Sequence, residues 1–288
     1  WLIPVAVFLA FALSTGTALG LELLDKSIRT SQDVTRFLDL PMLGAVPHTD
    51  DEEVAIDQVE TASRDSAKSL VAEAFRRIRT AMQFSAPAAR QRTILVTSAQ
   101  PEDGKTTVAC NLALAAALAG RRVLLVDANF RKAAVHRIFK VERAQGLSHL
   151  LVAQGSLESC VVRTNVAGLD ILPAGPVPPN PAELLGSEPC RAFLAAAASQ
   201  YDQVIIDSAP VLVASDAVVL ATAVDGVVMV VRAKQSTRGV SRRASQLLHD
   251  VGAHLFGVVL NAAQAARGGY FREQLRTFYE YQDEETAK

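Results

Sequence analysis

The chain of 288 residues is half hydrophobic, and its 29 Lys and Arg residues nearly balance its 30 Asp and Glu residues, giving a formal net charge of −1. A protein that binds nucleic acid by bulk electrostatics needs a basic excess, so this balance argues against nucleic acid as a partner. The three cysteines, Cys110, Cys160 and Cys190, are far apart and form neither a metal-binding pattern nor a disulfide framework.

The first predicted element is the uncharged stretch of residues 1–21, which ends before the first ionisable side chain, Glu22. About 20 apolar residues cross the hydrocarbon core of a bilayer, so we expect a transmembrane helix over residues 1–24, with a buried core helix as the alternative. The positive-inside tendency of the residues that follow places the rest of the chain in the cytoplasm: Lys26, Arg29 and Arg36. Because the chain begins with Trp1 rather than Met, we expect it to be a fragment of a longer protein.

Residues 25–65 are predicted as a cytoplasmic juxtamembrane segment that ends in an acidic linker. Between Pro41 and Asp65 acids far outnumber bases, and Pro41, Gly44 and Pro47 are expected to break regular structure. The next segment, AKSLVAEAFRRIRTAMQF, is predicted as a helix because its apolar residues recur at helical spacing and form one stripe.

From Thr93 onward, short apolar runs alternate with helical patterns. The runs are continuous rather than alternating, as is typical of parallel strands that are covered on both faces: TILVTS, RVLLVDA, LDILPAG, DQVIIDS, GVVMVVR and LFGVVLN. Helices are predicted between them, for example over Lys105–Ala119 and Ser236–Val251. This alternation predicts an α/β fold with a doubly wound, mostly parallel sheet over residues 66–261, followed by a polar tail, residues 262–288.

The sequence SAQPEDGKTT has the spacing of a phosphate-binding loop, with Ala99 where the first glycine usually stands. It follows a predicted strand and opens a predicted helix, which is the context that such a loop requires. Backbone N–H groups at the start of that helix would hold the phosphates, and Gly104 would allow their close approach. Lys105 would bridge the terminal phosphates, and the hydroxyl of Thr106 would bind Mg²⁺.

Two aspartates end later strands of the predicted sheet. Asp127 closes VLLVD and Asp207 closes QVIID, so both stand at the carboxyl edge, where open α/β sheets bind ligands. One acid would hold Mg²⁺ and the other would accept a proton from an attacking hydroxyl. We therefore predict a metal site formed by Thr106, Asp127 and Asp207, with Lys105 and the two acids as the catalytic residues.

Together these motifs resemble those of the bacterial tyrosine kinases, the cytoplasmic ATPase domains of exopolysaccharide and capsule co-polymerases. The resemblance rests on SAQPEDGKTT for the Walker A motif, VLLVDANFRK for A′, YDQVIIDSAP for Walker B and LPAGPVPPNPAELL for a further signature. In some members of the family the ATPase domain is fused to a membrane-spanning chain-length regulator. The front of this chain is similar to the segment that leaves the membrane in those members. The resemblance implies an autokinase that uses ATP and Mg²⁺ at the bacterial inner membrane, with its ATPase domain in the cytoplasm.

The resemblance also implies roles for particular residues. Nucleotide would be bound by Ala99, Glu102, Asp103, Gly104, Lys105, Thr106, Thr107 and Asn261. Asn261 would contact the adenine edge, and a plain turn asparagine is the alternative. An E-x-x-R-x-x-R motif would assemble identical chains into a ring, although a solvated charged face is the alternative: Glu73, Arg76 and Arg79. Phosphate would be transferred between subunits to tail tyrosines, namely Tyr270, Tyr279 and Tyr281. Implied partners are the membrane, the polysaccharide synthesis and export machinery and a protein-tyrosine phosphatase.

The chain departs from the family pattern in two places. The second acid of the A′ motif is replaced by Asn129, and the tail has three tyrosines where the family usually has many. An ATP-binding subunit that acts as an assembly switch without kinase activity is therefore the alternative function. A positioning ATPase of the septum-site type is disfavoured, because that class has a second lysine early in the loop, where this chain has Gln100, Pro101 and Glu102.

Overall fold

The computed structural model describes residues 25–49, 58–87, 90–143 and 145–263, together with Ile56 and some residues between Ile3 and Thr17. The strands in these ranges are β1 (Met42–Pro47), β2 (Thr93–Ser98), β3 (Val123–Asp127), β4 (Val162–Arg163), β5 (Leu169–Leu172), β6 (Gln203–Asp207), β7 (Gly226–Arg232) and β8 (Leu255–Ala263). The α-helices are α1 (Ser31–Leu38), α2 (Ala62–Asp65), α3 (Leu70–Ser85), α4 (Lys105–Ala117), α5 (Val135–Ile138), α6 (Leu147–Leu151), α7 (Leu157–Cys160), α8 (Pro181–Leu185), α9 (Glu188–Gln200), α10 (Asp216–Ala221) and α11 (Arg238–Asp250). The six strands and three helices predicted from the sequence are confirmed.

The strands form one sheet in the order β1-β8-β7-β2-β6-β3-β5-β4. Every neighbouring pair is parallel except the last, in which β4 runs antiparallel to β5. The central strands β2, β3 and β6 are buried along their whole length, which explains their continuous apolar sequences. The prediction of a doubly wound, mostly parallel sheet is confirmed.

Helices cover both faces of the sheet. Successive side chains of a strand point to opposite faces, and Leu95 and Ile94 accordingly belong to different hydrophobic clusters. Ile94 packs in the cluster that includes Phe75 of α3 and Val108 of α4, whereas Leu95 packs in the cluster that includes Leu248 of α11. The carboxyl ends of the central strands remain the open edge at which a site can form.

The prediction of irregular structure over residues 41–65 is wrong at both ends, because Ala62–Asp65 forms the helix α2 and Met42–Pro47 forms a strand. The strand is β1, at the edge of the sheet, and it pairs in parallel with β8. Gly44 lies within the strand and lets α3 approach it closely. A Cβ at this position would lie 2.6 Å from Cγ1 of Ile78. Pro47 stands at the end of an edge strand, where a missing N–H is tolerated.

The juxtamembrane segment also packs against the domain instead of extending from it. Thr30 and Asp33 form a reciprocal capping box at the start of α1, and Val34 on that helix is completely buried. Before the helix, Ile28 donates its backbone N–H to the carbonyl of Ser236 at 2.9 Å. Residues 26–38 are thus tied to the loop between β7 and α11.

Two predicted segments fall wholly or largely on undescribed residues. Within the described ranges, no helix has both the length and the apolar character needed to cross a membrane. Most of the span predicted at residues 1–24 lies outside the described residues, as do residues 264–288 with Tyr270, Tyr279 and Tyr281.

Candidate active site

The predicted phosphate loop connects the end of β2 to the first turn of α4. Gly104 has a left-handed backbone conformation, with φ of +93°, and a Cβ at this position would collide with Nδ2 of Asn261. Asn261, at the end of β8, donates through Nδ2 to the carbonyl of Asp103 at 3.0 Å. Gly104 is therefore required by both conformation and space, and Asn261 packs against the loop. A contact from Asn261 to adenine stays a prediction.

The carboxylate of Asp103 stabilises the conformation of the phosphate loop. Its carboxylate accepts hydrogen bonds from the backbone N–H of Gln100 at 2.9 Å and from the hydroxyl of Ser236 at 2.7 Å. Burial raises the pKa of Asp103, although both hydrogen bonds and the charge of Lys105 oppose that rise. Asp103 was predicted to bind nucleotide. In the structure both of its carboxylate oxygens accept hydrogen bonds that position the loop. The neighbouring carbonyl of Glu102 accepts from Arg232 Nη1 at 2.8 Å.

The loop is joined directly to one of the two strand-end aspartates. Thr106 donates its hydroxyl to Oδ2 of Asp207 at 2.7 Å. Lys105 is largely buried, and its charge opposes the rise in the pKa of Asp207. Asp127 stands directly beside Asp207 in the register of β3 and β6. The structure therefore brings together Lys105, Thr106, Asp127 and Asp207, as the sequence predicts.

The two aspartates are fully buried and resist ionisation. Burial, and then the charge of Asp207, raises the pKa of Asp127 to about 7. Burial also raises the pKa of Asp207 to about 6, against the opposing effect of Lys105 and Thr106. Two adjacent carboxylates in a buried place repel each other, so a bound cation would favour the ionised form of both.

The two carboxylates differ in their capacity to hold a metal ion. Oδ1 of Asp207 is buried and has no hydrogen-bond partner, which is the arrangement expected of an oxygen that accepts a cation. Asp127 instead accepts three backbone N–H groups, from Asn129 at 3.2 Å, Ala134 at 3.0 Å and Val135 at 3.1 Å. Thr106 and Asp207 thus fit Mg²⁺ well, whereas Asp127 mainly fixes the turn that follows β3.

A cavity of about 270 Å³ opens beside the loop. Its lining residues are Pro101, Glu102, Gly104, Lys105, Thr106, Asn129, Arg131, Lys132, Ala134, Arg137, Ala209, Pro210 and Val213. Asp127 and Asp207 are completely buried and are not among its lining residues. Ala99 is buried beneath the loop, and Thr107 follows in the first turn of α4.

Asn129, which replaces an acid of the family motif, has a structural contact of its own. Its Oδ1 accepts the backbone N–H of Lys132 at 3.2 Å, and the side chain is almost completely buried. Asn129 therefore shapes the turn after β3 at the cavity wall without adding negative charge.

One ion pair at the cavity was missed by sequence reasoning. Arg131 forms two hydrogen bonds to Asp216, from Nε at 3.0 Å and from Nη2 at 3.2 Å. Asp216 is completely buried, whereas the Arg131 side chain is about half exposed. A fork of this kind fixes the guanidinium plane at the mouth of the cavity. Arg131 stood within the A′ match, but nothing in the sequence indicates Asp216 as its partner.

The predicted assembly motif lies on α3, and its three side chains form contacts within the chain. Arg76 pairs with Glu73 at 2.7 Å, and the same glutamate also meets Arg77 at 3.3 Å. Arg79 turns toward the domain and donates Nη1 to the carbonyl of Ala115 at the end of α4, at 2.8 Å. The three residues therefore do not form one uniform solvated face.

Fold and site together define the class of P-loop nucleotide-binding proteins. A family model described as an AAA domain matches residues 91–253. The tyrosine-protein kinase YwqD of Bacillus subtilis is 37% identical over 200 residues, which cover 69% of this chain and 84% of that protein. The chain belongs to this family of bacterial tyrosine-protein kinases.

Two further relatives extend the comparison. The kinase domain of Escherichia coli tyrosine kinase ETK is 27% identical, with a TM-score of 0.76, over 84% of this chain and 100% of that domain. The tyrosine-protein kinase wzc of Salmonella typhimurium is 34% identical over 219 residues, 76% of this chain. The match spans only 30% of the wzc protein, so most of that longer protein has no counterpart in the chain.

Proposed function

We propose that this chain is an ATP-dependent protein-tyrosine autokinase that regulates synthesis and export of an exopolysaccharide or capsule. The observation that carries the proposal is the 2.7 Å hydrogen bond from Thr106 to Asp207, beside the buried, unpartnered Oδ1 of that aspartate. A phosphate loop joined in this way to a strand-end acid is equipped to hold a nucleotide with its metal ion. Because the chain belongs to the tyrosine-protein kinase family, the expected phosphate acceptor is a protein tyrosine.

Each residue has a separate task in the proposed reaction. When bound, Mg·ATP supplies the phosphoryl group and neutralises its charge. The loop amides and Lys105 orient the terminal phosphates, and Thr106 and Asp207 hold the metal ion. The tyrosine oxygen bonds to the γ-phosphorus, the bond to the β–γ bridging oxygen breaks, and ADP leaves. The phenolic proton passes to Asp127, the second strand-end acid, which lies beside Asp207 in the register of β3 and β6.

An assembly switch without kinase activity is the second candidate. Asn129 in place of an acid and the complete burial of Asp127 favour this candidate, since both weaken the case for a base in contact with the acceptor. The intact mass of the purified chain after incubation with Mg·ATP decides between them. Added phosphate in the parent and none in Lys105→Met supports the kinase, whereas nucleotide-dependent assembly without added mass supports the switch.

We further propose that residues 1–24 anchor the chain in the inner membrane, with the domain and its tail on the cytoplasmic side. Residues 26–38 pack against the domain, so the anchor would hold the sheet close to the membrane. Protease added outside intact cells should leave the region after Lys26 uncut. Cleavage of the domain from outside would contradict this orientation.

A ring of identical chains is proposed through Glu73 and Arg76 on α3. Both side chains are partly exposed and so remain available to a neighbouring chain. Arg76→Glu should lower the oligomer mass in light scattering, and Arg242→Glu, at an exposed position of α11, is the matched control. Arg79 is a poor site for this test, because its bond to Ala115 stabilises the single chain. An unchanged mass in Arg76→Glu would favour the solvated-face alternative.

A further inference from the structure

One wall of the cavity carries positive charge that the described part of the chain does not neutralise. Lys132 and Arg137 line the cavity and are exposed. The Arg137 side chain donates a hydrogen bond to the carbonyl of Ala133, at 3.3 Å. No acidic side chain among the described residues pairs with either cation. This differs from the third cation of the wall, Arg131, which Asp216 holds by two hydrogen bonds.

The other walls suit an aromatic side chain that approaches the phosphates. Ala209, Pro210 and Val213 form an apolar wall, and Val213 is 58% exposed. Lys105 and Thr106 form the phosphate end. A phenol ring packed on the apolar wall can direct its hydroxyl toward this end, while residues that follow it in sequence pass the basic wall. The cavity thus combines an aromatic site with a site for neighbouring negative charge.

The tail of the chain contains tyrosines in two opposite charge environments. Tyr279 and Tyr281 are followed by acids, namely Glu280, Asp283, Glu284 and Glu285, and the nearest base is Arg276. Tyr270 instead lies between Arg267 and Arg272. Only the first pair complements the charge of Lys132 and Arg137, and exposed charges of opposite sign select partners through such complementarity.

We propose that Lys132 and Arg137 form an acceptor-recognition site that selects tyrosines followed by acidic residues. A neighbouring copy is then phosphorylated at Tyr279 and Tyr281 before Tyr270. The proposal rests on the proposed kinase function and adds the class of substrate that the site prefers. The two cations act on acceptor binding, and because they are exposed their effect weakens with salt.

The test uses two full-length chains with separate roles. The acceptor chain carries Lys105→Met, so it cannot transfer phosphate, and the donor chain carries phenylalanine at its three tail tyrosines. Phosphorylation of each acceptor tyrosine is followed over time by mass spectrometry. We expect Tyr279 and Tyr281 to react several-fold faster than Tyr270 at low salt, with a smaller preference at high salt.

Variants of the donor chain then assign this preference to the basic wall. Lys132→Ala/Arg137→Ala should slow phosphorylation of the acidic pair several-fold without slowing that of Tyr270, and should leave the KM for ATP unchanged. Arg242→Ala/Arg243→Ala, which removes two exposed arginines of α11 away from the cavity, is the matched control and should behave like the parent donor.

Each other outcome has a definite meaning. Equal rates at the three tyrosines, or equal slowing of all three in the Lys132→Ala/Arg137→Ala donor, overturns the recognition site and leaves the kinase function standing. A raised KM for ATP in that donor assigns the cations to the nucleotide and overturns the proposal too. Absence of phosphate from every acceptor tyrosine contradicts the kinase function itself, and the recognition site with it.

Discussion

Thr106 and Asp207, 101 residues apart in the chain, are joined by a hydrogen bond of 2.7 Å from hydroxyl to carboxylate. The bond connects the first turn of α4 to the end of β6, and the other oxygen of the carboxylate has no partner. A buried carboxylate oxygen without a partner is unfavourable unless a cation occupies it. The two residues therefore form the place at which we expect a metal ion to bind.

The first prediction concerns the hydroxyl of this pair. Thr106→Val keeps the shape of the side chain but removes the donor to Asp207 and the expected metal ligand. A hydrogen bond to a charged group contributes about 1.5–3 kcal/mol, so Mg·ATP should bind at least about tenfold more weakly in titration calorimetry. Thr80→Val, at an exposed hydroxyl of α3, is the control. Equal affinity in both variants would contradict the metal role of Thr106.

The second prediction concerns pH and stability without nucleotide. An unfolded aspartate ionises near pH 4, whereas burial holds the pKa of Asp207 at about 6 and that of Asp127 at about 7. The folded chain thus keeps protons that the unfolded chain releases, so the free energy of unfolding should fall as pH rises from about 4 to about 7. Mg²⁺ competes with those protons, so its affinity should rise over the same range.

Asp207→Asn tests this dependence. The amide still accepts from Thr106 but cannot ionise, so the variant should unfold at a higher temperature than the parent at pH 7 and show a flatter pH profile. It should also lose the stabilisation by Mg·ATP. Glu142→Gln, at an exposed acid, serves as the control in thermal unfolding. Parallel pH profiles for parent and Asp207→Asn would show that the strand-end acids do not cause the fall.

The third prediction distinguishes two reasons for glycine at position 104, namely the lack of room for a side chain and the left-handed backbone conformation. This glycine and Gly120 have similar left-handed backbones, with φ of +93° and +86°, but only Gly104 has another side chain against its Cα. Alanine in this conformation costs about 1–2 kcal/mol at either site. Gly104→Ala should lose more stability than Gly120→Ala and should bind ADP far more weakly. Similar losses in both variants would mean that Asn261 moves aside at no cost.

The fourth prediction concerns the support of the loop by Ser236. Ser236→Ala removes the hydrogen bond to the buried carboxylate of Asp103 and also the acceptor of the Arg232 backbone N–H. It should cost about 1–3 kcal/mol in urea unfolding, with weaker nucleotide binding. Ser241 is also buried, but its hydroxyl has no partner in the structure. Ser241→Ala should therefore be nearly neutral. A larger loss in Ser241→Ala than in Ser236→Ala would contradict the supporting role.

The sequence alone determined the strands and the motifs that end them. Continuous apolar runs identify β2, β3 and β6, since strands buried on both faces need apolar side chains at every position. Parallel strands end at one edge, so the positions of Asp127 and Asp207 at the ends of two such runs suffice to predict that they lie together. The GKT sequence located Lys105 and Thr106 at the same edge. All these inferences depend on local patterns.

Tertiary structure alone decided the contacts that connect distant parts of the chain. β1 was missed because its six residues contain a glycine and a proline, and only pairing with β8 and packing of α3 stabilise them as a strand. Asp216 lies 85 residues after Arg131, and Ser236 lies 133 residues after Asp103. A single buried carboxylate or hydroxyl produces no periodic pattern in the sequence. Its hydrogen-bond partner is therefore determined only when the folded sheet brings the two elements together.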